Sequence, residues 1–70
     1  MDYKEKKAEM KKKYEYAINA ISVANGVDVG VALDMLEANI MRGAQYAYVN
    51  VDEFKKDYEE QVQLQMTNAL

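Results

Sequence analysis

Apolar residues recur at helical spacing over the first third of the chain. They lie three, four or seven positions apart: Tyr3, Met10, Tyr14, Ala17, Ile21 and Ala24. Residues 2–24 contain no glycine or proline, the two residues that most often interrupt a helix. The pattern therefore predicts one amphipathic helix over residues 3–24.

The Asn25-Gly26 pair ends this pattern and allows two interpretations. An Asn-Gly pair between alternating residues is typical of a tight β-hairpin, in which the pair forms the turn. Alternatively, Gly26 adopts the left-handed conformation that closes a helix, and Asp28 caps the next one. Two isolated strands are only marginally stable in water, and helical patterns lie on both sides, so the sequence favours the helix cap.

A second helix is predicted over residues 29–48. The apolar arc of its helical wheel contains Val29, Leu33, Leu36, Ile40, Ala44 and Ala47, and the opposite side contains Gly30, Asp34, Glu37, Met41 and Gln45. Because the arc continues past Gly43, this glycine is interpreted as a close-packing position within the helix, at a cost of about 1 kcal/mol relative to alanine. Two alternatives stay open: Gly43 as a C-cap, and a strand over residues 44–51, where apolar residues alternate.

A third helix is predicted over residues 51–67. Asn50 precedes Glu53 by three positions, which is the spacing of a capping box at a helix N-terminus. An apolar row with a spacing of four follows: Phe54, Tyr58, Val62 and Met66. This row gives the helix one side that can pack on the other two.

The predicted fold is therefore all-α: a small three-helix protein, with a helical hairpin and a third helix, in a single domain spanning residues 1–70. The second helix, which has the strongest apolar arc, is expected at the centre. The predicted core contains Ile18, Ile21, Leu33, Leu36, Ile40, Ala44 and Phe54.

The small size of the chain makes self-association an expectation. A domain of 70 residues buries only about 60% of the surface that its unfolded chain exposes. Disulfides or a metal usually supplement so small a core, but the sequence contains neither cysteine nor histidine. We therefore expect association through helices as a homodimer, since a twofold contact is the commonest symmetry of soluble oligomers.

Histidine and cysteine, which many catalytic and metal sites use, are missing from the sequence. Ser22 and Thr67 are the only aliphatic hydroxyls, and no histidine is present to activate them. Zinc loses its usual cysteine and histidine ligands. Gly26 and Gly30 do not complete a phosphate-binding motif, because the third glycine or the glycine-lysine pair is absent. We expect no cofactor, no metal and no enzymatic activity.

Charge is unevenly distributed along the chain. Residues 1–15 contain six lysines and four acidic residues, whereas residues 16–70 contain three basic and eight acidic residues. Nucleic acid is therefore the alternative partner, with Lys11, Lys12 and Lys13 contacting phosphates. On a helical wheel, however, the lysines spread around the whole circumference with acids among them, so a solvated helix end is favoured.

Tyrosine and methionine give the better indication of function, because both are enriched in the centres of protein interfaces. The predicted interface contains Tyr14, Met35, Met41, Tyr46, Tyr48 and Tyr58. Ordinary packing between the helices is the competing explanation for the same residues. We expect the chain to bind another protein as an adaptor, regulator or inhibitor.

The acidic residues of the third helix define a further alternative, an inhibitor that occupies a basic groove of its target. They are Asp52, Glu53, Asp57, Glu59 and Glu60. Lys55 and Lys56 lie among them at compensating spacings, so a solvated charged surface is favoured over paired catalytic carboxylates. No apolar run approaches the length of a membrane span, and a charged N-terminal stretch replaces the apolar region of a signal peptide. A cytoplasmic location is the expectation.

Overall fold

The computed structural model describes residues 1–69, with side chains through residue 67. It contains four helices: α1 (Tyr3–Lys13), α2 (Glu15–Asn25), α3 (Val29–Met41) and α4 (Val51–Ala69). No strand occurs among these residues. The all-α class is confirmed, whereas the count of three helices is wrong, because the predicted helix over residues 3–24 is two helices.

The first predicted helix breaks at Tyr14, whose backbone lies at φ −109° and ψ 23°. The N–H of Tyr14 still donates a hydrogen bond to the carbonyl of Met10, at 2.9 Å. The N–H of Ile18 donates to the carbonyl of Tyr14, at 3.0 Å. The break therefore leaves these backbone groups paired. On its two sides, α1 packs mainly on α4 and α2 packs mainly on α3.

The junction between α2 and α3 is a helix cap. Gly26 lies in the left-handed region, at φ 63° and ψ 38°, and the N–H groups of Gly26 and Val27 both bond the carbonyl of Ser22. Asp28 then caps α3 by accepting a hydrogen bond from the N–H of Val31, at 2.9 Å. The helix-cap interpretation is confirmed, and the hairpin alternative is wrong.

The second predicted helix ends early. Its observed counterpart, α3, stops at Met41 rather than residue 48, and residues 42–50 form turns and irregular chain. Gly43 has φ 100°, a left-handed conformation that closes the helix, and the N–H of Ala44 bonds the carbonyl of Asn39, at 2.9 Å. Gly43 as a position within a helix is therefore wrong, as is the strand over residues 44–51.

The N-terminus of α4 is capped as the sequence predicts. The side-chain oxygen of Asn50 accepts a hydrogen bond from the N–H of Glu53, at 3.1 Å. The carbonyl of Asn50 also accepts the bond from Phe54, at 2.9 Å. The helix then continues to Ala69, two residues beyond the predicted end.

The core lies where the α2 and α3 pair, whose axes form an angle of 104°, meets the α1 and α4 pair. Ten apolar residues are buried in it: Met10, Tyr14, Ala17, Ile18, Ile21, Ala32, Leu33, Leu36, Ile40 and Phe54. Six of the seven predicted core residues are among them. Ala44 is the exception, and it is only half-buried because it lies beyond the end of α3.

Candidate interaction surface on α2

Helix α2 is apolar on two opposite sides. One side is buried in the core and contains Ala17, Ile18 and Ile21. The other side faces solvent, where Tyr16 is 70% exposed and Val23 is 85% exposed. Seven of the nine residues from 16 to 24 are apolar, and the polar residues Glu15, Asn19 and Ser22 form a narrow stripe between the two apolar sides.

The exposed side extends onto the segment that follows α3. The rings of Tyr16 and Tyr48 contact each other, with centroids 4.8 Å apart and planes inclined by 52°. Tyr48 is itself 75% exposed. We call this surface the α2 face; it consists of Tyr16, Asn19, Ala20, Val23, Ala24 and Tyr48.

Two open depressions follow the α2 face. The larger has a volume of about 720 Å³ and reaches the end of α1 at Lys12 and Lys13. The smaller, of about 250 Å³, lies between α2 and the segment carrying Tyr46 and Tyr48. The smaller is lined mostly by apolar side chains, whereas half of the residues lining the larger are polar: Lys12, Lys13, Glu15 and Asn19. Ala20 belongs to both depressions, so together they form a groove along the helix.

Asn39 holds the segment after α3 in place. Its amide nitrogen donates to the hydroxyl of Tyr46, at 2.8 Å, and its amide oxygen accepts from the guanidinium of Arg42, at 2.6 Å. The N–H of Val49 bonds the carbonyl of Tyr46, at 3.2 Å, which turns the chain around Tyr48. Side-chain bonds from a helix thus position an irregular segment beside α2.

A different kind of contact joins α1 to α4. The ammonium group of Lys6 lies 3.0 Å from the carboxylate of Asp57 and 2.8 Å from that of Glu60. The ammonium group of Lys13 lies 3.0 Å from Asp57 and 2.6 Å from Glu53. The hydroxyl of Tyr14 donates to Asp57 as well. We call this group the ion cluster: Lys6, Lys13, Tyr14, Glu53, Asp57 and Glu60.

Asp57 is the centre of the ion cluster and is only 7% exposed. Burial by itself would raise the pKa of Asp57, but hydrogen bonds from Tyr14, Lys13 and Lys6 outweigh it and lower the pKa to about 2. The opposite applies to Tyr14, whose pKa is raised above 10.0 by burial and by its bond to Asp57. Asp57 is therefore ionised and Tyr14 neutral across the physiological range.

The two lysines of the ion cluster are held in their charged forms. The hydrogen bond to Glu60, with that to Asp57, raises the pKa of Lys6 above 10.5 against the lowering effect of burial. Hydrogen bonds to Glu53 and Asp57 raise the pKa of Lys13 in the same way. A general acid or base needs a pKa near the working pH. The shifts in this cluster move away from that range, which is typical of a structural ion pair.

A second buried carboxylate, Glu37 on α3, is less well paired. It is 7% exposed, and its Oε2 atom has no hydrogen-bond partner. Lys7 lies 4.0 Å from Glu37 but 3.2 Å from the neighbouring Asp34. Burial raises the pKa of Glu37, and Asp34 adds to the effect. Glu37 was predicted on the exposed side of its helix; the position is buried because α1 packs against this side of α3.

The predicted interface residues lie in several parts of the molecule. Tyr14 is in the interior, packed against Phe54 with ring centroids 4.7 Å apart, so it is not available on the surface of the chain. Met35, Tyr46 and Tyr58 are half-buried against the core. Met41 is 43% exposed at the end of α3. Of the six, Tyr48 is the one that belongs to the α2 face.

The alternative charged sites are largely occupied within the chain. Lys11 and Lys12 are exposed, but Lys13 pairs with two carboxylates of α4. Of the predicted acidic surface, Asp57 is buried and the other four residues are exposed, although Glu53 and Glu60, like Asp57, bind lysines of α1. The prediction of a solvated charged face is therefore wrong for Asp57, which is buried because it pairs across helices instead of with Lys55 or Lys56.

Sequence analysis missed the exposed residues of α2. Tyr16 and Val23 were left off the predicted apolar stripe, which followed a single side of one long helix. The density of apolar residues over positions 16–24 was the available signal. It indicates a helix with two apolar sides, of which a small core can cover one.

Composition and comparison add little to this picture. No group of three or more acidic residues in the described part of the chain is arranged to hold a metal ion. No single helix within residues 1–69 has the length and apolar character of a membrane span. Taken together, α2 and α3 have that length and character, but the pair is bent by 104°. No family model matches the chain, and comparison with curated proteins and solved structures found no similar protein.

Proposed function

We propose that this chain is a non-enzymatic protein-interaction module that binds through helices, with the α2 face as its binding surface. The exposure of Val23, Tyr48 and Tyr16, at 85%, 75% and 70%, carries the proposal. A surface helix normally turns its polar side to water, whereas α2 also turns Tyr16 and Val23 to water. A partner protein supplies the missing cover.

The composition of the α2 face supports a protein as the partner. Tyrosine provides a large rigid contact with a polar hydroxyl, and it is enriched in the residues that contribute most to binding energy. Ala20 and Ala24 are short and exposed, so the backbone of another helix can approach closely between the larger side chains. The α2 face therefore suits an incoming helix.

Self-association as a homodimer is part of this proposal. The core of a 70-residue chain is small, and neither a disulfide nor a cysteine or histidine metal site is available to supplement it. Covering the α2 face removes apolar surface from water at about 25 cal/mol per Å², in the folded state only. In this proposal the associated form acts as an adaptor, regulator or inhibitor.

A photoreactive amino acid at position 23 tests the proposed function in cells that express the chain. We expect a cross-linked adduct of one defined protein mass, and we expect its loss when Tyr16→Lys places a charge in the same surface. Position 66 is the matched control, because Met66 is 65% exposed but lies on α4. Equal adducts from both positions, or none from position 23, would contradict the proposal.

A further inference from the structure

We propose that the α2 face binds a second copy of itself, with the two α2 helices antiparallel and the twofold axis close to Ala20. The inference rests on the proposed function, because it names the occupant of the same surface. The sizes of the side chains, the charges at the two ends of α2 and the exposed area support it. The occupant, the axis position and the orientation can each be tested separately.

The side chains of the α2 face are complementary in size when the helix is reversed. Tyr16 lies near the N-terminal end of α2, Ala20 at the centre, and Val23 and Ala24 near the C-terminal end. Antiparallel packing about Ala20 places each Tyr16 over Val23 and Ala24 of the second copy. Ala20 at the centre lets the helix axes approach to about 8 Å. Parallel packing would instead set the two Tyr16 rings against each other and leave space at Ala20.

Charge favours the same orientation. Lys12 and Glu15 line the groove at the N-terminal end of α2, together with Lys13, whose charge is paired with Glu53 and Asp57. The last turn of α2 contains no basic residue, and its carbonyl groups give this end a partial negative charge. Asp28 follows three residues after the helix ends. Antiparallel packing brings Lys12 of one copy to the C-terminal end of the other, whereas parallel packing would bring the two Lys12 side chains together.

The exposed area fits a weak dimer. A tyrosine side chain can bury about 150–250 Å², so Tyr16 and Tyr48 at their observed exposure contribute about 300 Å² per copy. A typical specific interface buries about 800 Å² per partner. Val23, which is 85% exposed, and the smaller residues of the α2 face add to the tyrosines, but the sum stays below this typical size. We therefore expect a reversible dimer whose population depends on concentration.

Sedimentation equilibrium of the purified chain over a hundredfold concentration range tests the occupant. We expect a monomer–dimer equilibrium that Val23→Glu shifts to monomer by at least about a hundredfold, because each copy would bury a new charge. Val31→Glu is the matched control: Val31 is an exposed valine on α3, and its replacement should leave the equilibrium unchanged. A dimer that responds to Val31→Glu but not to Val23→Glu overturns the inference.

Cysteine cross-linking tests the position of the axis. The chain contains no cysteine, so Ala20→Cys introduces a single thiol next to its own symmetry mate. Mild oxidation should convert this variant to a disulfide-linked dimer, because a disulfide requires the Cα atoms to lie within about 7 Å. Ala38→Cys, at an exposed alanine on α3, should stay largely reduced under the same conditions. Faster cross-linking at position 38 would place the contact elsewhere.

A charge reversal tests the orientation. Lys12→Glu should weaken the dimer about tenfold, because the effect occurs at both ends of the interface. Lys11→Glu makes the same change at an exposed neighbour outside the groove, and it should have little effect. Tighter association of the Lys12→Glu variant would overturn the antiparallel orientation, since that result is expected when the lysines of the two copies lie together.

The experiments distinguish failure of this inference from failure of the proposed function. A purified chain that is monomeric at every concentration overturns the inference. If the adduct from position 23 then contains a different protein, protein binding through the α2 face stands with another partner, and only the homodimer part of the proposed function is lost. If the monomer instead binds vesicles of anionic phospholipid, and Val23→Glu abolishes that binding, both proposals are overturned.

Discussion

The contact between α1 and α4 is made by charged and hydroxyl groups, whereas the outer side of α2 is made by apolar ones. In the first region each buried charge has partners within the chain: Asp57 accepts bonds from two lysines and a tyrosine. In the second region the large side chains meet water on one side. The first region is paired within a single chain, whereas we propose that a second copy covers the second region.

Substitutions in the two regions should therefore change different properties, folding stability in the first and association in the second. Changes in the ion cluster should alter the free energy of unfolding, because removing one member takes a hydrogen-bond or ion-pair partner from a buried group. Changes in the α2 face should alter association and leave folding nearly intact. The following predictions test this separation, from the largest expected effect to the smallest.

Asp57→Ala should cost about 2–3 kcal/mol of stability, since it leaves the buried hydroxyl of Tyr14 without its acceptor, whereas Lys6 keeps Glu60. Urea unfolding followed by circular dichroism measures the change. Asp52→Ala removes an exposed acid from the same helix and should cost less than about 0.5 kcal/mol. Equal losses from the two variants would show that the ion cluster does not stabilise the fold.

Acid should weaken the ion cluster by about 2 kcal/mol. The pKa of Asp57 is about 2 in the folded chain and 3.8 in the unfolded chain. Between pH 2 and pH 4 the unfolded chain therefore binds more protons than the folded chain. The stabilisation is present above pH 4 and is lost as the pH falls towards 2. Unfolding of the parent chain and of Asp57→Asn, compared from pH 7 to pH 2, isolates this contribution. Parallel pH profiles for the two chains would refute it.

Glu37→Gln should increase stability by about 1 kcal/mol at pH 7, because it removes a buried charge that has an unbonded oxygen. The pKa of Glu37 is raised above 4.5, so its unfavourable contribution appears as the pH rises and is absent in acid. The gain should therefore disappear near pH 4. Glu59→Gln, at an exposed acid of α4, is the control for the change in net charge. A loss of stability at pH 7 would mean that Lys7 compensates Glu37 fully.

Val23→Glu should change the stability of the monomer by less than about 0.5 kcal/mol, because the side chain is already 85% exposed. Thermal unfolding at low protein concentration, where the monomer dominates, measures it. Leu36→Ala is the opposite reference: its side chain is fully buried, and the variant should lose about 2–5 kcal/mol. A large loss for Val23→Glu would show that this valine supports the fold rather than association.

Local chemistry made part of the fold predictable. The caps at Gly26, Asp28 and Asn50 follow from residues that stabilise helix ends whatever surrounds them, and all three are observed. Gly43 was ambiguous, because an apolar arc continued beyond it and favoured a longer helix. Its backbone at φ 100° shows that the glycine, not the arc, determines where α3 ends.

Contacts between distant parts of the chain were not predictable from spacing. The break at Tyr14 occurs without glycine or proline, at a residue whose hydroxyl and ring contact α4. Lys6 pairs with Asp57 and Glu60 across helices, which no pattern within one helix reveals. The α2 face was partly predictable: Tyr48 was identified, whereas Tyr16 and Val23 require knowing which side of α2 the core leaves uncovered.

The distance along the chain between paired helices predicts an order of folding. Helices α2 and α3 are joined by residues 26–28, whereas α1 and α4 are separated by residues 14–50. Closing a short loop costs less chain entropy than closing a long one, so we expect α2 and α3 to meet early and the ion cluster to form last. The reverse order holds for opening: amide hydrogens of α1 and α4 should exchange through a partial unfolding that leaves α2 and α3 together.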